Sequence, residues 1–217
     1  MIPLYHDFTD ETVLVFGGGS VGARKARRFA DEARVIVVSP TFAPSLTDHR
    51  TRRIELVRAV PAVTDVSDWI DRASPALVVA ATDDAAVNAA VAETAGRAGA
   101  LVNRTDASGG RRLGSVVVPG TVEDDPVSVA VSSGGTSPAL TKVLRERIEA
   151  EIDGAGAMAE LSGSLREELK SRAVEPTRRR EAIRAVVRSD RVWKGLQEGR
   201  SKGRQEAEKV IEEVLRG

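Results

Sequence analysis

The sequence predicts an α/β protein: an N-terminal doubly wound parallel sheet, a short β-containing segment, and a helical C-terminal domain. Three observations carry this reading. Short apolar runs alternate with helical patterns as far as about Asp106. A glycine-rich turn follows the first of those runs and opens a helix. From Ser137 onward the pattern is nearly all helical, with breaks at "EIDGAGA" and "VEPTRRR". Strands that alternate with helices imply right-handed crossovers, hence parallel strands with helices on both faces.

Each element has its own warrant. Thr12 to Phe16 is β-rich, and a helical pattern follows from Val21 to Ala33. "VIVVS" (Val35 to Ser39) shows no polar alternation, as expected of a strand covered on both faces. "IELVRA" (Ile54 to Ala59) reads as a third strand and "DVSDWID" as a short helix. "ALVVAAT" (Ala76 to Thr82) is a fourth strand, "DDAAVNAAVAETAGRAGA" a helix, and "ALVNR" (Ala100 to Arg104) a fifth strand. The rhythm then breaks. "GSVVVPG" and "PVSVAVSS" lie too close together for a helix between them, so they are expected to pair antiparallel, outside the first sheet. The expected domains are 1–112, 113–150 and 151–217. The Arg-rich stretch "SRAVEPTRRREAIRAVVRSDR" interleaves Glu and Asp, which marks a solvated helix face.

Composition narrows the function classes. The 217 residues carry 32 Lys and Arg against 32 Asp and Glu, so no net charge draws the chain to nucleic acid or an anionic membrane. Aromatics are only 3%, too few for a base-stacking platform. There is no cysteine, which removes disulfides, thiolate nucleophiles and cysteine-ligated metals, and suits a reducing compartment. "MIPLYHDFTDE" lacks the basic and apolar regions of a signal peptide, and no apolar run approaches the ~20 residues of a membrane span. A cytoplasmic protein is expected, with no nucleic-acid or membrane partner.

Gly17, Gly19 and Gly22 have the G-x-G-x-x-G spacing directly after a strand and at the start of a helix, the context of a Rossmann-like dinucleotide site. Gly17 permits the tight turn, Gly19 lets backbone approach a diphosphate, and Gly22 lets helix and strand pack closely. The amides of Ser20 and Val21 would face the phosphates. A tight turn without a ligand is the plain alternative. An acid often ends the second strand of such folds; here Ser39, Pro40 and Thr41 stand there, so the residues leave NAD and NADP open. Thr82, after the fourth strand, can line the cofactor, or it or Asp83 can cap the next helix.

Asn103 and Asp106 follow the fifth strand and emerge at the same carboxyl edge. Asp106 could serve as a general base; an Asp-initiated loop, "DASGG", is the reading that spacing alone favours. Further on, "AVSSGGTSPALTKVLRER" is a strand end, a small-residue turn and a basic helix. Thr136 or Ser137 suits the N-cap and Pro138 the first helical position. Gly134 and Gly135 free the backbone, so this start could take an anion. Lys142, Arg145 and Arg147 follow, and Arg104, Arg111 and Arg112 flank Asp106, as a substrate with several carboxylates would require. A well-capped interface helix explains the same spacing.

"VLVFGGGSVGARKARRFA", "AATDD", "VNRTD" and above all "VAVSSGGTSPALTKVLRERIE" resemble the dehydrogenase/ferrochelatase module of siroheme synthase, the precorrin-2 dehydrogenase and sirohydrochlorin ferrochelatase family. The resemblance spans roughly Ile2 to Glu149 and weakens through the later helices. It implies NAD-dependent oxidation of precorrin-2, an eight-carboxylate tetrapyrrole, to sirohydrochlorin, in some members with iron insertion in the same cavity. It also implies a homodimer built around the middle segment. The family's essential aspartate, in the motif N-x-x-D, falls on Asp106 with Asn103. Its cavity serine falls on Ser133, with Ser132 beside it. Its cofactor contacts fall on Ser20, Val21, Pro40 and Thr41. No metal-ligand cluster is expected. Where the family continues with a proline and then an aromatic, this chain has "DASGGRRLGSVVVP", with Leu113 in the aromatic's place. No methyltransferase domain is present in the sequence, so methylation is expected from another protein. A nucleotide-sensing regulatory domain is the competing class; the strand pair and the "SSGGTSP" helix count against it. A non-catalytic dimeric binding protein is another, and Asn103 with Asp106 counts against that.

Overall fold

The computed structural model describes residues 2–47, 53–106 and 114–216. The chain forms two compact units, Met1–Val118 and Pro119–Gly217. The expected boundary at 112/113 lies outside the described residues. The one at 150/151 falls in the last turn of the helix Pro138–Glu151.

The first unit is a five-stranded parallel sheet of β1 (Thr12–Phe16), β2 (Arg34–Ser39), β3 (Ile54–Arg58), β4 (Leu77–Ala80) and β5 (Leu101–Arg104). The spatial order is β3-β2-β1-β4-β5. That is the doubly wound order, with a switch point between β1 and β4 where ligands of such sheets bind. Helices α1 (Ser20–Phe29), α2 (Pro44–Thr47), α3 (Val66–Ala73) and α4 (Ala85–Arg97) make the crossovers. Alternate strand residues point to opposite faces. Leu14, Phe16, Ile36, Val38 and Val78 pack with Val66, Ile70, Val87 and Val91 of α3 and α4. Val13, Val15, Val35, Val37 and Val79 pack with Ala23, Ala26 and Phe29 of α1. Two covered faces explain why these strands carry no polar alternation. Helix α1 stops at Phe29, short of the expected Ala33, because Ala30 closes it and the chain turns at Asp31 and Glu32.

The second unit opens with an antiparallel hairpin, β6 (Gly120–Asp124) and β7 (Val127–Val131), in which Val122 opposes Val129. Helices α5 (Pro138–Glu151), α6 (Ala155–Ser171), α7 (Pro176–Val187), α8 (Asp190–Glu198) and α9 (Arg200–Arg216) follow. The hairpin turn seats on α6. Gly156 N donates to the Asp124 carboxylate at 2.9 Å, and a Cβ on Gly156 would lie 2.2 Å from Asp125 O. Met158, Leu165, Leu169, Val186, Val192 and Ile211 are among the residues that form the helical core.

The hairpin corrects one expectation. "GSVVVPG" is not its first strand; "GTVED" is. Residues 114–116 run alongside β5 in the same direction instead: Val102 N donates to Gly114 O (2.9 Å), Val116 N donates to Val102 O (2.8 Å), and Ser115 bridges Val102 in parallel. Val116 and Val118 pack against the α1-side core. The valines thus find apolar cover at the open edge of the first sheet. Among the described residues, no helix is long and apolar enough to cross a membrane.

Candidate cofactor and active site

The carboxyl edge of the first sheet gathers the residues that the sequence marks there. Gly17 has φ +110°, a conformation that favours glycine. A Cβ at Gly17 would lie 2.2 Å from Ala81 O, so only glycine lets the turn after β1 touch the turn after β4. A Cβ on Gly22 would lie 1.9 Å from Gly17 O. Gly18, which the spacing does not single out, is equally closed: its Cβ would meet Thr41 O at 2.4 Å and Phe42 at 2.8 Å. Gly19 is the opposite case, since a Cβ there meets nothing within 4 Å. Gly19 is also the N-cap of α1, without a side-chain cap and with no acid in the first turn. The helix's own bonding begins with Ala23 N donating to Gly19 O (2.9 Å). The exposed amides of Ser20 and Val21 therefore precede it. This is a fit for a diphosphate: three glycines closed by backbone contact, one open, and an uncapped helix start.

Pro40 and Thr41 are exposed at the end of β2. Thr82 follows β4, and its position is fixed by Asn88, a residue that sequence reasoning missed. Asn88 is fully buried in α4. Its Oδ1 accepts from Thr82 N (3.1 Å) and Thr82 Oγ1 (2.7 Å), and its Nδ2 donates to Thr82 O (2.9 Å). The cap of α4 is Asp84, not Thr82 or Asp83: its carboxylate accepts from Ala86 N and Val87 N, leaving Thr82 to the Asn88 clasp.

Asn103 is 5% exposed. Its Nδ2 donates to Val116 O (2.9 Å), which fastens the segment beside β5 to the sheet edge. Its buried Oδ1 has no hydrogen-bond partner among the described residues. Asp106 stands on the same edge in a fork with Arg104, whose Nε donates to Oδ1 (3.0 Å) and NH2 to Oδ2 (2.6 Å). The Arg104 guanidinium holds the Asp106 carboxyl below the ordinary range; partial burial opposes it and the Asn88 amide assists. Arg104 was expected to serve a substrate carboxylate, and here it serves Asp106. Residues i and i+2 leaving a strand share a side, so "RTD" contained that pairing. Arg111, Arg112 and Leu113 lie outside the described residues.

Ser132, Ser133 and Lys142 belong to the second unit, at the start of α5. Gly134 and Gly135 have φ +67° and +87°. The helix start is filled by its own side chains. Ser137 Oγ accepts from Leu140 N (3.3 Å), Ser133 Oγ accepts from Ser137 N (3.0 Å) and lies 3.1 Å from Thr141 Oγ1, and Ser132 Oγ accepts from Gly134 N (3.1 Å). Lys142 is exposed, 3.9 Å from Glu146. Arg145 Nε donates to Thr121 O (3.2 Å), clasping α5 to β6. Among the described residues, no group of three or more His, Cys, Asp or Glu could hold a metal ion.

The family model for putative NAD(P)-binding proteins matches residues 4–120, and that for the sirohaem biosynthesis protein central segment matches 124–151. A precorrin-2 dehydrogenase of Methanosarcina barkeri is 31% identical, over 99% of this chain and 95% of its own length. The chain belongs to the precorrin-2 dehydrogenase family. Siroheme synthases of the same likeness are longer: that of Stutzerimonas stutzeri is 35% identical over 100% of this chain and 44% of its own length, and siroheme synthase 1 of Aeromonas salmonicida 35% over 91% and 41%. The chain thus spans less than half of those relatives. The solved structure of SirC, a precorrin-2 dehydrogenase, shares the fold with a TM-score of 0.71 over 98% of this chain and 100% of its own, at 22% identity. In this precorrin-2 dehydrogenase family member, the first unit is an NAD(P)-binding domain.

Proposed function

We propose that the chain oxidises precorrin-2 to sirohydrochlorin with NAD. One observation carries this most: an open, uncapped helix start at Gly19 lies on the same sheet edge as the fixed carboxylate of Asp106. Gly17, Gly19 and Gly22, with the amides of Ser20 and Val21, would hold the diphosphate. Pro40 and Thr41 would line the adenosine side, and Thr82, clasped by Asn88, the switch-point crevice. Bound there, NAD supplies a hydride acceptor. The substrate loses a hydride and a proton and gains positive charge as the hydride leaves. Asp106 is held ionised by Arg104, so it is a weak base near neutral pH but a strong fixed charge. Its role is to orient the macrocycle and oppose the developing charge; the proton passes to water. Asn103 keeps the edge beside Asp106 in place through its bond to Val116 O, and so serves the substrate side of the site as a positioning residue. In the second unit, Ser132 and Ser133 position the start of α5, on which Lys142 is an exposed donor suited to carboxylates.

The partner reading is a homodimer, in the cytoplasm. Helix α5 has no buried residue, and Leu140 and Val143 are 51% and 42% exposed. A second copy of α5 and its hairpin would cover them. Anaerobic mixing of the protein with precorrin-2 and NAD should yield NADH and sirohydrochlorin in equal amounts; an absence of NADH with both bound would refute the reaction. Light scattering should give twice the chain mass, and Leu140→Glu should halve it. A monomer at micromolar concentration would refute the dimer.

A further inference from the structure

The end of β2 says more about the cofactor than the glycine turn does. In doubly wound sheets an acid at this strand end bonds the ribose 2′-hydroxyl and rejects a 2′-phosphate, whereas a nearby Arg accepts it. Here Ser39, Pro40 and Thr41 occupy the position, and Ser39 is 5% exposed. None of these three residues is a carboxylate that would repel a phosphate. The neighbouring strand provides a cation. Ser39 of β2 pairs with Arg58 of β3, so Arg58 ends its strand at the same edge.

The guanidinium is held in place. Arg58 NH1 donates to Pro40 O at 2.9 Å, and its Cζ lies 5.4 Å from the centroid of the Phe42 ring. Phe42 in turn abuts the glycine turn, since a Cβ on Gly18 would meet its ring at 2.8 Å. Arg58 is therefore braced by the same loop that closes against the dinucleotide turn. It is exposed, and among the described residues no salt bridge engages it. A braced, exposed guanidinium without a carboxylate has donors left for a phosphate.

We infer that Arg58 receives the 2′-phosphate of NADP, so that this chain binds NADP as well as NAD and Arg58 sets the balance between them. The inference rests on the cofactor reading above. Calorimetric titration of the full chain with NAD and with NADP tests it, using wild type, Arg58→Glu and Arg58→Lys. Wild type should bind NADP within about tenfold of NAD. Arg58→Glu should weaken NADP at least ~10-fold, the loss of a charge-assisted hydrogen bond, and NAD less than about threefold. Arg58→Lys should retain most of the NADP affinity. Preserved NAD binding shows that each variant is folded. If wild type binds NAD but NADP more than about a hundredfold more weakly, or if Arg58→Glu weakens both alike, the inference fails and the NAD reading stands. If wild type binds neither dinucleotide, both fail.

Discussion

The two glycine turns of this chain follow the same local recipe and are built to opposite ends. Each follows a strand, each uses positive φ, and each opens a helix. At the first, side chains stay away: no side chain caps α1 and nothing lies within 4 Å of a Cβ on Gly19. Its glycines are required where backbone meets backbone, at Gly17, Gly18 and Gly22. At the second, nothing lies within 4 Å of a Cβ on Gly134 or Gly135, yet Ser137 and Ser133 occupy the helix start. A turn that leaves its amides open is made to take a phosphate. A turn that satisfies its own helix is made to fix that helix in place. The anion role expected of the second start meets a helix start already occupied by Ser133 and Ser137.

The comparison can be broken by substitution, and the largest contrast should be in stability. Gly22→Ala forces a Cβ into Gly17 O and should cost about 3 kcal/mol in urea unfolding, at the upper end of overpacking. Gly135→Ala meets only the left-handed strain of φ +87° and should cost about 1 kcal/mol. Equal losses would mean that the two turns are not differently built. Next comes Asp106→Asn, which keeps shape and removes charge. It should lower single-turnover NADH formation by ~100-fold while NAD affinity stays within about twofold; unchanged turnover would reduce Asp106 to a loop residue. Ser137→Ala should cost about 1 kcal/mol through its lost cap and leave NAD affinity alone. The smallest effect is one of pH. The folded pKa of Asp106 is depressed, so the stability of its pair with Arg104 is present above the unfolded value near ~3.9 and lost as pH falls through the lower folded value. Turnover should thus show no Asp106-dependent fall between neutral pH and about pH 5. A fall near pH 6, absent in the Asn variant, would restore the general-base role.

Much of this was legible in the chain itself. All five parallel strands stand where the sequence places them: β1, β2 and β4 are apolar runs because strands covered on both faces need them, whereas the edge strands β3 and β5 carry Glu55 and Asn103 within shorter apolar stretches. The hairpin was harder to read. Within β6 only Val122 is buried, so a polar "GTVED" carries little signal, while the more apolar "SVVV" beside it belongs to the first unit. Glycine spacing marked Gly17, Gly19 and Gly22 with their separate roles, but gave no sign that Gly18 is closed as well. Asn88 was invisible because a buried Asn in an alanine-rich helix reads as surface until Thr82 is seen to need it. Arg104 was noticed for its charge, yet its partner was two residues away.

The most direct test of the difference between the turns is one titration series. Calorimetry with NAD would compare wild type, Gly19→Asp and Thr136→Asp, which bring the same charge to the first and the second helix start. Gly19→Asp should abolish measurable binding, a loss of at least ~100-fold, with unfolding unchanged because the added side chain meets open space. Thr136→Asp should leave NAD affinity within about twofold. If Gly19→Asp binds NAD like wild type, or if Thr136→Asp is the variant that loses it, the cofactor does not lie on the first turn.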